Sequence, residues 1–426
     1  MIVMFRAKNF LSFKDDVVLD LRKSNFREHP DHTFKIGDFE LLKTIAIYGA
    51  NASGKSNLVC ALSAFIDTIE SQFYDENPDK TNEDSSQTTI AAFKPFLLTK
   101  NKNPNIEFEI VFYNSNHLFQ YGFIVDKENK TKFIKEWLQV DREEVFTREE
   151  TIKYGKKYEK IYSMFNKVRE DRLLISTIDY FAVDDKQREL MSYIKEFFRD
   201  KVNVHFEIYF ESSIKGLSLM SLSHYKYLTN DNSLLKKVTD YVKQIDIGIS
   251  NLTVHEIEIN NKKTKEKEKT KIIKSVHSII DENNSVIDEL PFDLEDESSG
   301  TKRFISFINN IIMMMDKGGV YIIDELSSSF HPLLTKFIVD LFQSKVNKNN
   351  AQLIFTTHET TIMNRHQFRR DEIVVVDKNN KGESSIYSLA DINVRSDASY
   401  DVDYFKGKYG GIPIIDDIFN GDNFHD

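Results

Sequence analysis

One cysteine in 426 residues leaves no disulfide framework: Cys60 has nothing in the chain to pair with, and a reducing cytoplasm is its natural setting. No stretch approaches the ~18 uninterrupted apolar residues of a membrane-spanning helix. Arg6 and Lys8 also interrupt the opening run MIVMFRAKNF where a signal peptide would need its apolar segment, so membrane and secretory readings are set aside. Positive charge does not dominate either. With 57 Lys and Arg against 67 Asp and Glu, the net charge of −10 is too acidic for a surface that grips nucleic acid everywhere, and any such contact has to be local. Glycine is scarce at 15 residues, so clustered glycines mark backbone that requires them. What the chain does have is length, enough for two or three packed units with ample core.

Residues 1–20 alternate, turn near Phe13 to Asp16 and alternate again, as two short strands would; residues 41–49 (LLKTIAIYG) form an apolar run ending in glycine. Residues 56–72 place Leu58, Val59, Leu62, Phe65, Ile66 and Ile69 at helical spacing, so a strand, a tight loop and a helix follow in order. After a polar excursion over 73–90, the segments IEFEIVFYN, LFQYGFIV and FIKEWLQV read as an antiparallel meander. From Asp141 to Lys243 the pattern turns to charged, helical-looking segments with few turn glycines. Residues 250–280 read as two strands around a lysine-rich loop at 262–274, a solvated hairpin tip or a local nucleic-acid contact. Beyond Asp293, a helix at 300–316, the strand VYIID, the helix LLTKFIVDLFQ and the strands AQLIFTT and DEIVVVDK give the alternation of a parallel sheet wrapped by helices. The expected division is 1–140, a helical insertion at 141–245, and 246–426.

Residues Gly49-Ala50-Asn51-Ala52-Ser53-Gly54-Lys55-Ser56 match G-x-x-x-x-G-K-S after a predicted strand and before a predicted helix, with Asn57 following. Glycines let such a loop curl so that backbone N–H groups and the helix N-terminus face a phosphate chain. Lys55 then meets the outer phosphates and Ser56 offers a hydroxyl to Mg²⁺. In VYIIDE, four apolar residues deliver Asp324 at a strand end as a Mg²⁺ ligand, with Glu325 beside it to polarise water. Such an ending is common in ordinary strands, and its meaning comes from the partnership with the phosphate loop. ESSGTKR, with Ser298 and Gly300, opens a helix 24 residues before Asp324; alone it is an ordinary N-cap. IFTTH ends in His358, 33 residues after Glu325, where a histidine can reach and sense a terminal phosphate; alone it is an ordinary satisfied polar residue at a strand end.

The order of these motifs resembles the ABC-type ATPases of the SMC-like and RecF-like branch. More narrowly, MFRAKNFLSFKDD, YGANASGKSN, ESSGTKR, DELSSSFHP, TTHETTIM, RRDEIVVVDK and YFKGKYGGIP resemble the stand-alone and OLD-like AAA-family ATPases of bacterial anti-phage operons, over residues 1–140 and 246–415. The resemblance implies an α/β fold: an ABC-type head with a mixed sheet, a parallel P-loop core and an inserted helical domain. It implies a cytoplasmic, Mg²⁺-dependent ATPase that associates as a homodimer or higher multiple on ATP, Ser298 and Gly300 binding the γ-phosphate held by the opposite P-loop. By the same resemblance Asp324 is the Walker B aspartate, Glu325 the catalytic glutamate and His358 the switch histidine. The signature departs from transporter ATPases at Ser299 and Thr301, the loop from Ser327 to His331 departs at both its ends, and nothing fixes Gln87 as a Q-loop residue. OLD-like relatives append a nuclease, and the short stretch after YGGIP leaves no room for one, so a separately encoded effector, a nuclease or toxin, is expected as partner. The alternative is a RecF- or SMC-like DNA-repair ATPase whose lysine-rich loop tracks duplex DNA. A transporter subunit is disfavoured by the 242 residues between Ser56 and Ser298.

Overall fold

The computed structural model describes residues 1–74, 93–100, 105–126, 132–206, 226–245, 248–260, 267–328, 330–392 and 394–413. Gln87 and the tip of the lysine-rich loop, 261–266, lie outside the described residues. The chain divides into two units, Met1–His205 with Gly318–Ser328 and Ile338–Asp426, and Phe206–Lys317 with Ser329–Phe337.

The first unit holds two large sheets. Seven antiparallel strands run in the order β10 (Ile152–Tyr154), β9 (Glu143–Arg148), β8 (Lys132–Val140), β7 (His117–Asp126), β6 (Ile106–Asn114), β1 (Ile2–Lys8) and β2 (Val17–Asp20). Strict alternation in β6, with Ile106, Phe108, Ile110 and Phe112 fully buried, gives this sheet one apolar face. The helix Lys55–Tyr74 lays Phe65 on that face: its ring stacks on Phe123 at 5.1 Å and meets Phe5 edge-on at 5.8 Å. Burying one such ring stabilises by roughly 1.5–3 kcal/mol.

The other sheet has the order β11 (Val202–His205), β15 (Val320–Ile323), β16 (Gln352–Thr356), β5 (Thr44–Tyr48), β17 (Ile373–Lys378) and β18 (Ser384–Ser388). All neighbours are parallel except the edge pair β17–β18. The strands β5, β15 and β16 are buried at every position, as continuous apolar runs in a parallel sheet covered on both faces must be. The buried Gln352 joins the two sheets, its amide donating to the carbonyls of Ile2 and Leu42 while its oxygen accepts the Ile2 N–H. A two-stranded sheet, β3 (Thr33–Ile36) with β4 (Phe39–Leu42), completes this unit's strands among the described residues.

The stretch after Asp141 is less helical than its charge pattern predicts. Residues 143–154 extend the seven-stranded sheet, because Val145 and Phe146 bury against its face. The segment KKYEKIYSMFNKVRED yields only the four-residue helix Glu159–Tyr162. Helices do form at Leu174–Phe181 and Asp185–Glu196. The N-terminus of Leu174–Phe181 is held by the buried Glu136 carboxylate, which accepts the Leu174 N–H at 2.6 Å and the Ile175 N–H at 3.2 Å.

The second unit contains a three-stranded antiparallel sheet, β12 (Ile249–Asn260), β13 (Lys267–Ile280) and β14 (Val286–Asp293), together with the helices Asn232–Ile245 and Ser299–Lys317. These helices pack against each other, and Lys237 reaches Asp316 at 2.7 Å. Leu234, Val238 and Val242 form the buried stripe of the first of them. Among the described residues no helix is long and apolar enough to cross a membrane.

Candidate active site

The parallel sheet sets the site. In parallel sheets the loops after the strand carboxyl ends form the crevice in which ligands bind. Here three neighbouring strands end in the residues singled out above: β5 runs into Gly49–Ser56, β15 into Asp324 and Glu325, and β16 into Thr357 and His358.

Two glycines shape the loop. Gly54 has φ +117°, and a Cβ there would come within 2.6 Å of Ser384 Oγ and 2.8 Å of Ser12 Oγ. Gly49 has φ +156°, and a Cβ would press on the Val376 carbonyl and sit 2.6 Å from Ser53 Oγ. The loop is tied from outside as well: Ser384 Oγ donates to the Ser53 carbonyl at 2.6 Å, Asn57 donates to Ser12 Oγ at 2.7 Å, and the Gly49 N–H faces the Tyr404 hydroxyl. Asn51 and Ala52 are exposed at its crest. Ser53 is buried and its hydroxyl has no hydrogen-bond partner among the described residues. A buried hydroxyl without a partner is costly, and a phosphate oxygen would relieve it.

Lys55 is buried, its ammonium donating to the carbonyls of Gly49 at 2.9 Å and Ala50 at 3.1 Å. Burial lowers its pKa from 10.5 to about 8, with the Glu325 and Asp324 charges opposing the fall. Ser56 Oγ donates to Asp324 Oδ1 at 3.2 Å. That hydroxyl and carboxylate are hard oxygen donors of the kind Mg²⁺ takes. His358 has its imidazolium disfavoured by desolvation first and the Lys55 charge second, while Asp324 acts the other way. Lys55, Ser56, Asp324, Glu325 and His358 are thus drawn together.

Thr356 is fully buried and organises the two acids. Its hydroxyl donates to Asp324 Oδ1 at 2.7 Å and accepts the Glu325 N–H at 2.7 Å. Glu325 itself adopts φ +56°, a left-handed backbone uncommon outside glycine that turns the chain sharply off the strand axis. Thr356, Ser384, Ser12 and Tyr404 are the residues that the linear motifs do not reveal. IFTTH contains Thr356, but only the pairing of β16 with β15 shows what its hydroxyl meets.

Ser298 and Gly300 lie in the second unit. Ser298 caps the helix Ser299–Lys317, accepting the Thr301 N–H at 3.1 Å and meeting the Thr301 hydroxyl at 2.8 Å. Both Ser298 and Gly300 are exposed, and a Cβ at Gly300 would meet the Ser298 hydroxyl at 3.7 Å, an ordinary contact. The preceding Glu297 is anchored by His277 at 2.6 Å and by the Ser275 hydroxyl.

No curated protein matches the chain. Similar solved structures include the SMC head domain from Thermotoga maritima, at 14% identity and TM-score 0.41, covering 91% of this chain and 98% of that one. Another is the Smc head domain with an extended coiled coil bound to the C-terminal domain of ScpA, derived from Pyrococcus furiosus, at 13% identity and TM-score 0.44, covering 91% and 96%. A protein-family model matches residues 45–364, three quarters of the chain and the span from the phosphate loop to just beyond His358. By that match the chain belongs to the family described as "AAA domain, putative AbiEii toxin, Type IV TA system".

Proposed function

We propose that the chain is an ATPase switch of a cytoplasmic phage-defence system of the abortive-infection type, hydrolysing ATP to ADP and phosphate and controlling a separately encoded effector, a nuclease or toxin. The observation that carries the chemistry is the convergence of Lys55, Ser56, Asp324, Glu325 and His358 at three adjacent strand ends. The Gly49–Ser56 loop, with Asn57 beside it, receives the phosphate chain, and Lys55 leaves its loop carbonyls to meet the β and γ phosphates. Ser56 and Asp324 would hold Mg²⁺, which when bound neutralises charge on the phosphate oxygens. Glu325 accepts a proton from the attacking water, and the Thr356 bond on its N–H holds the turn that presents its carboxylate. His358 stands at the γ-phosphate side, and Ser298 and Gly300 of a second copy close on the same nucleotide, so the dimer forms with ATP and opens after hydrolysis. The motif order and the family description support this reading of the defence role.

The test combines turnover, mass and capture. Glu325→Gln should bind ATP, lose about 100-fold or more in kcat as expected for a general base, and run as a stable dimer in light scattering with ATP. Unchanged turnover would remove Glu325 from the mechanism. Capture of this variant with ATP from its native host should bring down a stoichiometric small protein; duplex DNA alone would favour a repair ATPase instead.

A further inference from the structure

The turn that presents Ser298 is held from several sides, all within the second unit. The chain leaves β14 through one short 3-10 turn, Leu294–Asp296, in which Leu294 is buried. The Glu297 N–H closes that turn on the Leu294 carbonyl at 3.3 Å. From the first turn of the helix Ser299–Lys317, the Lys302 ammonium reaches back to the Glu295 carbonyl at 2.9 Å. The two residues at the junction then part company: the Ser298 hydroxyl turns onto the helix N-terminus, and the Glu297 carboxylate turns onto β13.

On the sheet side, Glu297 Oε1 accepts from His277 Nε2 at 2.6 Å and from the Ser275 hydroxyl. Ser275 and His277 stand at alternate positions of β13 and so share one face of the sheet. Phe292, opposite Ser275 in the ladder with β14, meets the His277 ring edge-on at 4.9 Å and fixes its plane. Ser275 is fully buried and the Glu297 side chain is 10% exposed, so these bonds work largely out of water, where a bond to a charged acceptor is strong. Two donors on one oxygen hold the carboxylate against rotation. An N-cap needs no such support. Asp184 caps the helix Asp185–Glu196 in the same manner, accepting the Gln187 N–H at 2.9 Å, and the residue before it, Val183, is 74% exposed. The anchoring of Glu297 therefore serves something other than starting a helix, and what it holds in place is Ser298.

We propose that His277 and Ser275 are positioning residues for closure of the ATP-bound dimer: through Glu297 they fix the exposed Ser298 turn in the orientation that meets the nucleotide of a second copy. This role rests on the part proposed above for Ser298 and Gly300. An exposed cap that has to reach a phosphate on another chain gains from being held still beforehand, because ordering it during association would cost affinity.

The test uses the full-length Glu325→Gln protein as parent, with His277→Ala or His277→Gln added; the glutamine amide supplies an N–H donor in place of Nε2. Sedimentation with ATP reads the dimer, a fluorescent ATP analogue reads the affinity of the single chain, and amide hydrogen exchange without ATP reads the Ser298 turn. His277→Ala should weaken the ATP-dependent dimer by about tenfold or more, the scale of a lost bond to a charged group. It should leave the analogue's affinity within about twofold of the parent and speed exchange across residues 298–302, and His277→Gln should recover much of both the dimer and the protection. Equal dimerisation by the parent and His277→Ala, unchanged exchange across 298–302, or a glutamine variant as impaired as the alanine variant overturns the proposal while leaving the ATP-driven dimer standing. A parent that binds the analogue and stays monomeric with ATP overturns the part given to Ser298, and this role with it.

Discussion

At the scale of single residues, Thr356 makes the sharpest case. Its side chain offers one hydroxyl to two partners, the Asp324 carboxylate and the Glu325 N–H. Thr356→Val keeps the shape and deletes both bonds, leaving buried polar groups unsatisfied at a cost of about 1–3 kcal/mol. The expected result is a loss of kcat of about tenfold to 100-fold from misplaced acids, with the KM for ATP nearly unchanged; steady-state kinetics decide it, and an unaltered kcat excludes the positioning role. Lys55 gives a prediction in pH. Only its ammonium form attracts phosphate, and its pKa in the folded chain is about 8. ATP affinity should therefore hold steady below pH 8 and weaken above it, approaching tenfold per pH unit. Stability moves oppositely: with the folded value below 10.5, the unfolded chain binds more protons between about 8 and 10.5, so this group's contribution to stability rises with pH across that window. Fluorescence titration of a nucleotide analogue and thermal melts at pH 7, 8.5 and 9.5 separate the two effects.

At the scale of elements, a buried carboxylate defines how one helix begins. Glu136 accepts two backbone N–H groups of the helix Leu174–Phe181 and the Tyr121 hydroxyl, with Arg148 at 3.3 Å. Burial raises its pKa while Arg148 and these donors oppose the rise. Glu136→Ala strands Arg148 and the helix N-terminus and should cost about 3–5 kcal/mol, seen as a large fall in Tm, whereas Glu136→Gln retains part of the network and should fall less. This helix also shows where sequence reading stops. The strands around the phosphate loop and the helices Ser299–Lys317 and Pro332–Gln343 are legible, because continuous apolar runs and 3.6-residue periodicity survive without knowledge of neighbours. The strand Glu143–Arg148 is short and charged, and only its pairing with Lys132–Val140 makes it a strand. Val202–His205 owes its place entirely to a parallel partner more than a hundred residues later. The same limit applies in the site. Lys55 can be read from local spacing, and Asp324 and His358 from the order of the motifs; Thr356, Ser384 and Tyr404 cannot, because their roles come from partners in distant sequence.

At the scale of the whole molecule, the Ser298 side belongs to a different unit from the phosphate loop, and the proposed dimer requires the two surfaces to meet across copies. Ser298→Arg adds bulk at an exposed helix cap without touching Lys55. It should leave ATP binding by the monomer within about twofold of wild type, a change under ~0.5 kcal/mol, yet abolish the ATP-dependent increase in mass. Sedimentation with and without ATP reads this directly, and a dimer that persists in the variant argues against signature-mediated closure.

The strand order in the parallel sheet also sets a schedule. β5 leads into the phosphate loop near the start of the chain, yet its two neighbours, β16 and β17, are supplied by Gln352–Thr356 and Ile373–Lys378. At a synthesis rate of about 5–20 residues per second, a ribosome needs roughly 15–60 seconds to travel from Ser56 to His358. For most of that interval the nascent chain carries its phosphate loop without Asp324, Glu325, His358 or either flanking strand. A product cut short before residue 324 lacks β16 and β17, the two neighbours of β5, and both acids that the proposed hydrolysis uses. Under the proposed function, activity is therefore withheld until His358 has been made, a timing written into the topology.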